Sequence, residues 1–151
     1  MEMSRTQNDN HEGIKQSAGL PCRITGPVVH GKAKGRTVGM PTVNLGVEEG
    51  TVLPPLGVYA TLVHIGERIF MGVTNVGTRP SVDNEERITV ETLILDFDED
   101  IYDQVITVEF HRHIRPIKKM ESLEAVRLQV ERDSLAVRDL FSSLCVRSSA
   151  H

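Results

Sequence analysis

The chain has 151 residues, enough for one packed core and too few for two generous ones, so a single site is expected. Its 21 acidic residues outnumber 17 lysines and arginines and give a net charge of -4, which argues against a general nucleic-acid binder with a basic face. Two cysteines, Cys22 and Cys145, lie near opposite ends with no CxxC spacing, and no apolar run approaches membrane-spanning length. A disulfide framework, a zinc knuckle and a transmembrane helix are thereby disfavoured, and a soluble protein of the reducing cytoplasm is expected.

Residues 1–20 are polar and aperiodic and read as a disordered N-terminal arm. The folded domain is expected over residues 21–145, with a short disordered tail at 146–151. Six β-branched runs separated by turn signals follow one another: "RITGPVVHG", "TVNLG", "GVYATLVHIG", "RIFMGVTNVG", "RITVETLILDF" and "QVITVEFHRHI". Without helical periodicity between them, they predict a mainly β protein, a six-stranded antiparallel sheet or barrel. At "IRPIKKMESLEA" the pattern changes. Ser122 is placed to cap a helix, and Glu124 in the first turn suits the positive end of its dipole. Leu123, Val126, Val130, Val137, Leu140 and Leu144 then fall on one apolar stripe of a helix of roughly 20 residues.

The stretch "GRTVGMPTVNL" carries the first chemical signal. Gly31, Gly35 and Gly39, interleaved with Lys32, Lys34 and Arg36, make a loop whose amides and cations can wrap phosphates. It matches neither GxxxxGK[ST] nor GxGxxG opening a helix, so on its own it reads more readily as a glycine-rich turn with solvated charges. Thr42 and Asn44 follow, and strand alternation aims both side chains the same way. Their hard, neutral oxygens suit magnesium, which is commonly held by one or two protein oxygens plus substrate phosphates; on spacing alone, Thr42 reads more readily as a β-former and Asn44 as a turn residue.

A carboxylate supplies the second signal. Counting by twos from Glu91 along residues 88–98 gives Leu93, Leu95 and Phe97, which puts Glu91 on an apolar strand face. A base poised to accept a hydroxyl proton is found in such surroundings, and so is a rim carboxylate paired with Arg87 or Arg79. His111 and His113 have strand spacing without a third ligand, and the acidic run at 96–100 lacks the central glycine of a calcium loop.

Together these motifs resemble the riboflavin kinase family. "GPVVHGKAKGRTVGMPTVNL" is similar to its glycine-led loop ending in G-x-P-T-A-N, "NVGTRPSV" and "VETLILDFDEDIYDQVITVEF" to its later blocks, and "IRPIKKMESLEAVRLQVERD" to its closing segment. The resemblance implies a six-stranded Greek-key-type barrel with a C-terminal helix that transfers the γ-phosphoryl group of ATP to the riboflavin 5′-hydroxyl, giving FMN. It implies that Gly31, Lys32 and Arg36 hold the nucleotide, that Thr42 and Asn44 contact magnesium and the ATP phosphates, and that Glu91 is the catalytic base. Asp96 and Tyr102 fall at further nucleotide contacts, and Arg115 and Met120 on the flavin side. Val43 replaces the usual alanine, and Met40 and Met120 stand where aromatic residues are frequent.

The expected partners are riboflavin or FMN and ATP or ADP, with no nucleic acid and no membrane. The chain is expected to act as a monomer or to be joined to an adenylyltransferase domain. A non-catalytic flavin- or nucleotide-binding regulatory module is the alternative. An oligonucleotide-binding barrel would want basic and aromatic residues interleaved on its strands, a pattern this sequence lacks.

Overall fold

The computed structural model describes residues 19–29, 42–48, 50–80 and 86–149. Each of the six β-branched runs forms a strand: β1 Cys22–Val29, β2 Thr42–Leu45, β3 Gly57–Ile65, β4 Arg68–Pro80, β5 Glu86–Ile94 and β6 Val105–Arg115. They close into an antiparallel barrel in the order β1-β2-β5-β4-β3-β6, with β6 returning to pair with β1. Strands β3, β4 and β5 form a meander. β2 lies beside β1 and β5, not beside β3, the next strand in the chain.

Burial patterns tell which strands are covered on both faces. β1 alternates buried and exposed residues, as a strand with one face on the core and one in water must. β3 is buried at nearly every position because its second face lies under α1, Leu123–Ser149, the one helix among the described residues. The apolar interior therefore splits in two. One cluster fills the barrel, with Tyr59 set edge-on to Phe110 at 5.3 Å and surrounded by Val28, Val63, Val76, Val90 and Val108. The other joins the outer face to the helix through Ala60, Leu95, Val137 and Phe141, flanked by Leu62, Met71, Val73, Leu93, Ile114 and Leu140.

Three threonines sit inside the barrel without leaving a hydroxyl orphaned. Thr61, Thr74 and Thr92 are linked across β3, β4 and β5 by two hydrogen bonds of 2.8 Å. An unpaired hydroxyl there would cost about 1–3 kcal/mol. Gly72 makes room for them, since a Cβ at this position would lie 2.8 Å from Thr61 Oγ1.

The helix starts where expected, with the Ser122 hydroxyl accepting from the Ala125 N–H at 3.1 Å. Its extent differs: it is 27 residues long and runs to Ser149, beyond both the roughly 20 residues and the domain limit at 145 read from the sequence. The packed line also differs. Leu123 is 58% exposed, whereas Asp133, Val137 and Phe141, spaced by four, are the buried positions among the helix side chains described, 123–143. Phe141 and a buried carboxylate were absent from the expected stripe. No helix among the described residues is long and apolar enough to cross a membrane.

Candidate active site

Strand β2 is short, but its alternation is clear. Val43 packs against the barrel interior and Leu45 is buried there, so Thr42 and Asn44 both face outward. On β5, Val90 and Thr92 point inward and are each 1% exposed, which turns Glu91 between them to the same outer face. Register does the rest: Asn44 lies directly opposite Glu91, and Thr42 opposite Leu93. From that diagonal position the Thr42 hydroxyl donates to Glu91 Oε2 at 2.5 Å. A hydroxyl–carboxylate bond of this length is charge-assisted and fixes one oxygen of the carboxylate.

Strand β4 adds the first residue of the block "NVGTRPSV", to which sequence reasoning assigned no role of its own. Asn75 is the partner of Glu91 on that side, so Asn44, Glu91 and Asn75 form one row across three adjacent strands. Opposed residues in an antiparallel sheet bring their Cβ atoms to about 4.5–5.5 Å. The Asn44 and Asn75 amides make no hydrogen bond among the described residues, while Thr42 is committed to Glu91. Below this row, Leu93 and Val73 pass into the apolar cluster under the helix. Above it stand Thr89 and Gly77, the Thr89 hydroxyl donating to the Gly77 carbonyl at 3.4 Å.

The apolar face expected around Glu91 is therefore only half realised. Leu93 and Leu95 share the outer side, but β5 ends at Ile94 and Asp96 takes a left-handed φ of 58°. The twofold count fails there. Phe97 turns to the barrel end instead, edge-on to Phe70 at 4.9 Å.

The other sequence-predicted residues are placed unevenly. Asp96 is exposed and paired with Arg138 of the helix at 2.8 and 3.2 Å. Those hydrogen bonds, and then the guanidinium charge, hold its carboxyl below the usual carboxylate range. Tyr102 rests partly buried against the barrel interior, and the next residue, Asp103, donates its N–H to the Val28 carbonyl. That contact brings segment 95–104 to the barrel end where β2 begins.

Arg115 is turned toward the helix. Its Nε and Nη2 both bond the Asp133 carboxylate, the closest contact being 2.8 Å, and Nη1 donates to the Pro116 carbonyl. Asp133 is 3% exposed and also accepts from Gln129. Arg115 thus locks β6 to α1, a task that the flavin-side expectation did not contain. Met120 is partly buried in the segment joining the two. Gly31, Lys32, Arg36 and Met40 lie outside the described residues, as do residues 1–18 of the expected arm.

Thr42 and Asn44 fit a magnesium ion by chemistry. Having donated a hydrogen bond to Glu91, the Thr42 hydroxyl keeps lone pairs for a hard cation, and the Asn44 side-chain amide oxygen is uncommitted.

Solved structures give the fold a counterpart. A riboflavin kinase from Trypanosoma brucei superposes with a TM-score of 0.59 at 25% identity, covering 80% of this chain and 79% of that one. A structure described as a macrolide-efflux protein from Streptococcus pneumoniae superposes at 0.73 with 35% identity, over 78% of this chain and 38% of that one. In sequence, the flavokinase model, described as riboflavin kinase, matches residues 18–141. The chain is 32% identical over 140 residues to a bifunctional riboflavin kinase/FMN adenylyltransferase of Bacillus subtilis, covering 91% of this chain and 44% of that protein. The chain belongs to the riboflavin kinase family, and it spans less than half the length of the curated relatives it matches.

Proposed function

We propose that this chain phosphorylates riboflavin at its 5′-hydroxyl, using ATP and giving FMN and ADP. Family membership supports the reaction, and the Thr42–Glu91 hydrogen bond, set in register with Asn44, is the observation that carries the site. The reading concerns the kinase step alone, in a cytoplasmic compartment.

Phosphoryl transfer asks a protein mainly for positioning and for neutralising phosphate charge. Thr42 and Asn44 would hold magnesium brought with ATP, and the ion, when bound, supplies that neutralisation at the phosphate oxygens. Glu91 is the general base. Thr42 fixes one of its oxygens, so the other can accept the 5′-hydroxyl proton as the riboflavin oxygen bonds to the γ-phosphorus and the bond to the ADP oxygen breaks. The hydrophobic flank of Leu93 and Val73 limits water beneath the carboxylate.

Incubation with riboflavin, ATP and magnesium, followed by separation of the flavins, tests this reading. FMN and ADP are expected. Riboflavin recovered unchanged, although bound, would replace the enzyme with a flavin-binding regulatory module.

A further inference from the structure

We infer that Asn75 binds the polyol chain of the phosphoryl acceptor, so that the acceptor lies over β4 and the nucleotide over β2, with Glu91 between them. This rests on the proposed kinase reading and extends it to Asn75, which lies in the family-matching block "NVGTRPSV" but was given no role there.

The placement comes from register. Asn44 and Asn75 flank Glu91 on neighbouring strands, which at a strand spacing of about 4.8 Å sets the two amides roughly 10 Å apart with the base at the midpoint. The β2 side of Glu91 is occupied: Thr42 bonds Oε2, and Thr42 and Asn44 carry the oxygens suited to magnesium and phosphates. A hydroxyl that must give its proton to Glu91 and attack opposite the leaving oxygen approaches from the other side. Among the described residues, Asn75 is the polar side chain paired with Glu91 on that side.

Its surroundings fit a polyol. A primary amide offers two donors and an acceptor, which matches a run of neighbouring hydroxyls that both give and receive hydrogen bonds. Asn75 is exposed and uncommitted, and asparagine is depleted in strands, so the middle of the 13-residue β4 gives it no evident task in folding. Two residues on, Gly77 keeps the surface low. A Cβ there would lie 3.4 Å from Asn75 Oδ1 and 3.2 Å from Ile117 Cδ1. Ile117 is 44% exposed and gives this notch an apolar wall, beside which a ring system attached to the polyol can lie.

The test measures three equilibria on the parent chain and on Asn75→Ala: riboflavin, lumiflavin (the same ring without the polyol) and magnesium-ATP. Asn75→Ala is expected to weaken riboflavin about fivefold to tenfold, the size of one or two neutral hydrogen bonds, and to leave lumiflavin and magnesium-ATP unchanged. Asn75→Gln, which keeps the amide one methylene further out, should recover part of the loss. Equal riboflavin binding by parent and Asn75→Ala overturns the inference, and so does a loss confined to magnesium-ATP or shared equally by lumiflavin. A parent that binds none of the three overturns the kinase reading, and the inference with it.

Discussion

Strands β4 and β5 carry two outer surfaces two residues apart that differ in every physical respect. At Val73, Leu93 and Leu95 the sheet is covered by α1, with Val137 and Phe141 packed against it and Arg115 tied to Asp133 at the margin. At Asn75, Glu91 and, across β2, Asn44, the helix no longer covers the sheet, and polar side chains stand in a row with two amides uncommitted. The covered half spends its side chains on one another. The open half keeps donors and acceptors free for something outside the chain. Changes to the covered half should therefore lower stability, and changes to the open half should alter binding or turnover while leaving melting nearly unchanged.

The largest stability effect is expected at Phe141. Phe141→Ala opens a cavity between helix and sheet and should cost about 3–5 kcal/mol in chemical denaturation. Binding of magnesium-ATP by the molecules that remain folded should persist. Asp133→Ala comes next. It strands the partly buried Arg115 guanidinium, and a loss of about 2 kcal/mol is expected, less than for a fully buried pair because Arg115 keeps 21% exposure. A loss of magnesium-ATP affinity in either variant, measured below its melting transition, would erase the division between the two halves.

On the open side, Thr42→Val removes a hydroxyl at nearly constant shape. It should weaken magnesium-ATP about tenfold and riboflavin little, with melting shifted by less than about 1 kcal/mol. Magnesium dependence identical to the parent's would take Thr42 out of the ligand set.

The smallest effect concerns acid. On the far side of the barrel, Glu109 accepts from His64 at 2.8 Å and lies near His111 and Arg23. The hydrogen bond from His64 is the main cause holding its carboxyl below the usual range, and Coulombic contributions from His111 and Arg23 add to it. A carboxyl depressed in the fold contributes stability that is present above the unfolded value near about 4.3 and is lost as pH falls through the folded value. Glu109→Gln should flatten the acid limb of the stability curve below that range without changing turnover at neutral pH. An unchanged acid limb would assign that limb to other carboxylates.

How much of this was legible beforehand follows the range of each interaction. β-branched runs and turn residues are local, and all six strands and the Ser122 cap were readable from them. Thr42 and Asn44 share a face because a strand alternates, and Val43 between them turns inward for the same reason. Phe97 was misplaced because a left-handed Asp96 interrupts the alternation, and nothing in "LILDFD" announces it. Asn75 and Asp133 were missed for a different reason. Asn75 meets Glu91 only through β4–β5 register, and Asp133 meets Arg115 only once the helix folds back across 18 residues. Both depend on pairings between segments, which no single window of sequence contains. The helix stripe was displaced likewise, since the barrel surface, not the period alone, chose Asp133, Val137 and Phe141 as its buried line.

The central claim is that the open row holds a phosphoryl-transfer site with Glu91 as its base. Glu91→Gln keeps the size and a hydrogen-bonding oxygen for Thr42 but removes the basicity. Single-turnover phosphorylation of riboflavin, with both ligands shown to be bound, should slow by about 10²- to 10⁴-fold in this variant. A rate within about threefold of the parent's would contradict the claim, because general-base catalysis of this kind is worth far more than that.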